Sequence, residues 1–368
     1  MDKKYAIFAF ISILLAALLI LQWNNIHNNY TPNINQLDSS IKVASFLKER
    51  IPNKNNVPIL KSSIGLYVES IKFLTANDIE VSGIIWQKIH KKDTQQIRQG
   101  LVFSDAIGDV TLKQRYQKQY KDYNLYGWYF EANLRQAFEY NNYPIDHKRV
   151  WIKVVPKEFD TNHILIPDLE SYKTTGLGDT FGISKDIVLL GWELNDSYFD
   201  YIQTNFDTNF GIKNDQKNLD IPVLSFNIVI NRNLINSFVI NVTLLITTML
   251  LLYILVLMLT SNEALRDKFD MKVSSAVGTC GGLFFAVLLA HIHLREQFSS
   301  SGFVYIEFLY ILNYIFITTI AFIVFKFFSN KNIDNSKILQ KDAKNIKLLF
   351  WPLYFLIANI YTFLHFSF

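Results

Sequence analysis

The sequence predicts a membrane protein with an extracytoplasmic antiparallel β-sandwich, followed by a four-helix transmembrane bundle and preceded by one N-terminal transmembrane helix. Three observations predict it. Five apolar stretches occur, at Tyr5–Trp23, Ile235–Leu259, Val273–Leu294, Phe303–Phe325 and Leu348–Phe366, each close to the ~20 residues a helix needs to cross a ~30 Å hydrocarbon core. The first and second are separated by about 210 residues that are polar, aromatic-rich and punctuated by turns. The basic residues are also unevenly placed along the chain.

That charge bias sets the orientation. Lys3 and Lys4 precede the first stretch, which keeps the N-terminus in the cytoplasm and sends residues 24–233 outside. The loop 261–272 then falls inside with Arg266, Lys268 and Lys272, and the loop 295–302 outside with Arg295 as its one basic residue. The segment 326–347 falls inside with six lysines. The expected location is the inner (plasma) membrane, with the lipid bilayer as an obligatory partner. The first stretch reads as a retained anchor, because Leu21-Gln22-Trp23-Asn24 lacks a small-residue cleavage site; a cleaved signal is the alternative. Cys280 is the single cysteine, so no disulfide forms within one chain.

Four segments follow: 1–24, an anchor; 25–56, a linker and amphipathic helix; 57–233, the sandwich; and 234–368, the four helices. Asp38-Ser39-Ser40 offers caps for a helix to about Arg50. The runs Ile64–Phe73 and Ile79–Trp86 read as strands joined by Thr75–Asp78. Further strand-like runs are Tyr126–Tyr140, Val150–Val155, Ile187–Trp192, Tyr198–Phe206 and Val223–Arg232. Such spacing with little intervening helix points to a sandwich.

Several of these stretches together resemble one family. Gly65-Leu-Tyr67 with Trp86, Tyr143-Pro-Ile-Asp146, Gly191-Trp192-Glu193 and Arg232 occur in an order similar to that of the pentameric ligand-gated ion channels, particularly the bacterial members without the signature disulfide loop. The resemblance covers residues 57–366. It departs where a Trp-x-Pro-Asp strand is not legible, with Val102–Asp105 the nearest stretch, and where Asn241-Val-Thr243 replaces a proline of the second membrane segment. The N-terminal anchor has no counterpart in typical members.

The resemblance implies a homopentamer, opened by a small-molecule or proton agonist and passing monovalent ions. It implies that Asp146 and Arg232, with Asp78 sharing the arginine, transmit agonist binding to the pore. It also implies that Val273–Leu294 lines the pore. Steps of four and three give Ser274, Gly278, Gly281, Phe285, Leu288 and Ile292 on one face. That face is small and polar at the cytoplasmic side and bulky at the outer side, where a hydrophobic constriction closes by dewetting. The competing reading is a packing helix, with Gly278-x-x-x-Gly282 as a close-approach surface. Asp270 stands near the expected selectivity ring and favours cations. Tyr126, Trp128, Tyr172 and Tyr198 are the aromatic candidates for an agonist pocket.

Other chemistry is not indicated. There is no phosphate loop, no His-Glu-x-x-His and no Gly-x-Ser-x-Gly, so no catalytic residue, cofactor or metal is expected. His291 and His293 are two apart on a helix and do not share one face. Glu307 is the one acid within the two outer helices. Nucleic acid is excluded as a partner of an extracytoplasmic domain. The alternative function is a membrane-anchored sensor or adaptor with a non-conducting bundle.

Overall fold

The computed structural model describes residues 3–33, 35–50, 59–157, 163–176, 178–206, 219–260, 272–298, 302–329 and 340–367. The chain forms two compact units. One comprises residues 31–138 and 147–231; the other comprises residues 1–30, 139–146 and 232–368.

Among the described residues the first unit has nine strands: β1 (Leu60–Phe73), β2 (Asp78–His90), β3 (Leu101–Phe103), β4 (Thr111–Gln119), β5 (Tyr123–Arg135), β6 (His147–Pro156), β7 (His163–Pro167), β8 (Trp192–Phe206) and β9 (Leu219–Arg232). They form a five-stranded sheet ordered β4-β5-β2-β1-β7 and a four-stranded sheet ordered β3-β6-β9-β8. The expectation of a wholly antiparallel sandwich is corrected here: β7 runs parallel to β1, from Leu60↔His163 to Ile64↔Pro167. The run Ile187–Trp192, read from sequence as a strand, is a loop up to Gly191, and β8 begins at Trp192 and continues through the run read separately at Tyr198–Phe206. The expected strand 126–140 ends earlier, at Arg135.

Alternation explains the core. In β2, every second residue from Ile79 to Ile89 is buried, as a strand with one face on a core requires. Between the sheets lie Phe103 against Phe130 at 5.1 Å, and Phe181, Phe199 and Phe226 mutually within 6.0 Å. Aromatic burial of this kind supplies much of the stability of such a core. Gly65 is required by close approach: a Cβ there would lie 2.1 Å from the Trp86 ring, whose indole donates to Asp168 at 2.7 Å. The helix α2 (Ser40–Arg50) belongs to this unit. The Leu37 amide bonds the Phe199 carbonyl at 2.8 Å, and Phe46 stacks on Tyr201 at 4.7 Å.

A buried histidine makes the stability of this unit depend on pH. Ser62 accepts from Gln87 at 3.1 Å and lies 2.8 Å from His163 Nε2. Burial pushes the His163 pKa down to about 4. Because the folded value lies below the unfolded one, the stabilisation is complete above about pH 6.5 and is lost as pH falls toward 4. The effect is up to about 3 kcal/mol. Asp196 and Asp200, whose pKa values burial raises, act in the opposite sense. The informative comparison is therefore with H163Q. Hydrogen-exchange protection of β1 and β7 is expected to fall between pH 6.5 and 4 in the wild type and to change less in the variant.

The second unit contains α1 (Lys3–Asn28), α3 (Leu234–Met258), α4 (Val273–Gln297), α5 (Tyr305–Ser329) and α6 (Gln340–Ser367). All five are long and apolar enough to cross a bilayer. A π-type turn at Phe238–Val242 interrupts α3 and overlaps Asn241-Val-Thr243, the stretch that stands where the resemblance would place a proline. The N-terminal helix is knit into the group. Asn359 donates to the Leu15 carbonyl at 2.9 Å, and the Trp23 indole donates to the Tyr305 hydroxyl at 2.7 Å. That hydroxyl lies 2.6 Å from Thr362 Oγ1. Polar bonds of this kind hold helices together where lipid offers no competing partner.

Candidate functional site

The sequence places an eight-residue excursion, 139–146, between β5 and β6, and it belongs to the helical unit. It turns through a cis Tyr143–Pro144 bond. Its backbone is tied to α5: the Tyr305 amide donates to the Asn141 carbonyl at 2.7 Å, and the Ile306 amide to the Tyr143 carbonyl at 3.3 Å. The Tyr143 hydroxyl accepts from Asn241 of α3 at 2.8 Å. The rings of Tyr140 and Tyr143 both pack on Phe298, at 4.7 and 4.6 Å. The motif Tyr143-Pro-Ile-Asp146 is therefore a plug bonded to two helices.

At the end of this excursion Asp146 meets Arg232. The guanidinium bonds the carboxylate through both arms, Nε–Oδ1 at 2.5 Å and Nη2–Oδ2 at 3.1 Å, and the Arg232 amide bonds the Asp146 carbonyl at 3.3 Å. The two side chains are 14% and 2% exposed, and the guanidinium lies 4.6 Å over the Tyr143 ring. Burial disfavours the arginine's charge, but the Asp146 carboxylate outweighs it and holds the pKa above its usual value. Burial pushes the Tyr140 hydroxyl up to about 12 and raises that of Tyr143. A buried fork of this geometry fixes orientation as well as charge.

Asp78 takes a different partner from the one expected. It is bonded by Arg135, at 2.8 and 3.2 Å, the residue opposite it in the β2–β5 register. That arginine lowers the Asp78 pKa. Sequence reasoning missed Arg135, although the cross-strand pairing of β2 with β5 was the signal that identifies it.

On α4 the side chains divide into two stripes. Ala276, Cys280, Leu283, Val287 and Leu294 are buried. At 100° per residue, Ser274, Gly278, Gly281, Phe285, Leu288 and Ile292 lie roughly opposite. Within one chain Phe285 is 58% and Ile292 48% exposed. A Cβ built on Gly278, Gly281 or Gly282 would meet nothing within 4 Å, so these glycines are not a close-approach surface inside the chain. Asp270 lies outside the described residues.

Near the end of the same helix, His291 stands 3.2 Å from the Tyr314 hydroxyl and 3.3 Å from Glu307. Glu307 is buried, also meets Arg295 at 3.3 Å, and accepts the Val304 amide at 2.7 Å. An acid here caps the first turn of α5 and suits its positive end. Glu307 is thus a buried, multiply bonded group. His293 is exposed, 3.9 Å from Glu296.

The four aromatic candidates do not gather on an open face. Tyr172 donates to the Leu66 carbonyl and accepts the Leu66 amide, both at 2.8 Å, and its ring packs with Phe181 and Phe199. Tyr198 and Trp128 are buried, and Tyr126 stacks on Trp128 at 6.1 Å. Trp128 falls on the buried face of β5, which alternates from Trp128 to Leu134, whereas Tyr126 and Tyr172 are half-buried. No group of three or more His, Cys, Asp or Glu is placed to hold a metal among the described residues. Neither protein-family models nor curated proteins match the chain.

Proposed function

We propose that this chain is a subunit of a ligand-gated ion channel, assembling as a homo-oligomer of five copies around α4, with an extracytoplasmic sandwich that senses a small agonist. The observation that carries the reading is the two-faced character of α4. One stripe packs on its own subunit, and on the opposite stripe Ser274, Gly278, Gly281, Phe285 and Ile292 are exposed within the chain, with Leu288 half-buried. A membrane helix turns an uncovered stripe to lipid or to other copies of the chain, and in this reading Phe285 and Ile292 face the other copies. The Asp146–Arg232 fork supports the reading because it joins the end of β9 to a plug bonded to α3 and α5. In this role a change in the strands pulls on the helices through a rigid charge pair, and agonist shifts the equilibrium by its differential affinity.

Cation preference is part of the proposal, through Asp270. The N-terminal helix is proposed to remain in the mature subunit as a fifth structural helix. The test has two arms. The purified full chain is expected to contain five copies per particle in native mass measurement, and in planar bilayers to give currents whose reversal potential in asymmetric NaCl follows sodium. A monomer or dimer without current overturns the channel in favour of the sensor or adaptor. Reversal at the chloride potential overturns the selectivity alone.

A further inference from the structure

Among the described residues of the sandwich unit, Leu190 is the most exposed large apolar side chain at 87%, and Val188, at 73%, lies two residues away. Both belong to Ile187-Val-Leu-Leu190, four consecutive apolar residues in a loop. Ile187 and Leu189 are half-buried, and two neighbouring apolar side chains as exposed as Val188 and Leu190 are a liability unless something covers them.

Its place in the unit says what does. The chain bridges Val68 of β1 at Ile183, in parallel, with the Val68 amide bonded to the Gly182 carbonyl and the Ser184 amide to the Val68 carbonyl, each at 2.8 Å. It therefore runs toward the Phe73 end of β1. After the loop, Gly191 reverses the backbone at φ +77°, and Trp192 stacks on Phe73 at 5.4 Å. Phe138 lies 5.9 Å from Phe73. This is the end at which the chain leaves the unit after Phe138, re-enters at His147 opposite Asn231, and leaves again to begin the apolar helix at Leu234. Leu74, also exposed, sits at the same end.

We infer that the loop 187–190 is a membrane-contact element, dipping Val188 and Leu190 into the headgroup–acyl boundary of the bilayer entered by the helix that starts two residues after Arg232. Apolar side chains with an aromatic residue behind them suit that boundary. The inference needs only that the helices span a bilayer, not that the protein conducts.

The test uses the full chain with C280S, so that a cysteine introduced by L190C carries the only thiol. An environment-sensitive fluorophore is attached there, and the protein is reconstituted in phosphatidylcholine–phosphatidylglycerol vesicles with or without lipids spin-labelled near the carbonyl region. The emission is expected at a short wavelength and is expected to be strongly quenched by the spin-labelled lipid. The same probe at V188C is expected to behave alike. At Y120C, beside the β4–β5 turn at the far end of the sheet, it is expected to show a water-like, unquenched emission. Water-like emission at both loop positions overturns the inference. Short-wavelength emission without lipid quenching also overturns it, and assigns the loop to a neighbouring copy.

Discussion

Replacing Arg232 with alanine is expected to destabilise the helical unit by about 3–5 kcal/mol, because it strands a buried carboxylate. Asp146 is 3% exposed as a residue, so water does not replace the lost guanidinium. D146A is expected to cost a similar amount, since it leaves the arginine desolvated. The double variant D146A/R232A is expected to cost less than the sum of the two, because no unpaired charge remains. Thermal unfolding of the full chain in detergent measures all three. Additivity would show that the charges do not depend on each other. R232K separates structure from signalling: it keeps the charge but loses the two-armed fork and the flat contact with Tyr143. If the pair transmits agonist binding, R232K is expected to yield assembled protein with a reduced agonist response. An unchanged response would remove the coupling role while leaving the structural one.

What was legible in the sequence follows the range of the interactions involved. The five membrane-length helices were legible because their signal is local, some twenty apolar residues in a row. The first hairpin was legible for the same reason, with alternation on both sides of Thr75–Asp78. The parallel strand β7 was not, since its five residues acquire meaning only by pairing with β1 about 100 residues earlier. Ile187–Trp192 misled because an apolar run reads as a strand by composition, whereas the backbone there is a loop that turns through Gly191 at positive φ. Within the candidate site, Tyr143-Pro-Ile-Asp146 and Arg232 were found by pattern, whereas Arg135 depended on a register that no short motif encodes. The partners of Glu307 were invisible for a similar reason: His291 and Arg295 come from another helix, and helix pairing leaves no mark at fixed spacing. The aromatic candidates were chosen by residue type, which does not say which way a side chain faces; alternation along β5 turns Trp128 inward.

Replacing Phe285 or Leu288 with serine is expected to leave the fold intact and to produce a channel that leaks without agonist. Phe285 is 58% exposed within its own subunit, so its loss opens no cavity in the chain. In an assembly where five such side chains meet, each contributes apolar burial of ~1.5–3 kcal/mol to the closed state. Because every 1.4 kcal/mol is about tenfold in an equilibrium, loss at even one copy shifts the resting balance toward open by roughly ten- to a hundredfold. A serine ring also wets the constriction directly. L283S is the necessary contrast, since Leu283 lies in the buried stripe and its replacement is expected to lower thermal stability without a leak. Resting ion flux into vesicles and unfolding temperature, measured on the same preparations, separate three arrangements. Leak from F285S and L288S with instability from L283S places the stripe on a water-filled axis. Instability from all three places α4 in a sealed bundle. Stability loss from L283S alone, with neither leak nor instability from the others, places Phe285 in lipid and ends the pore assignment of α4.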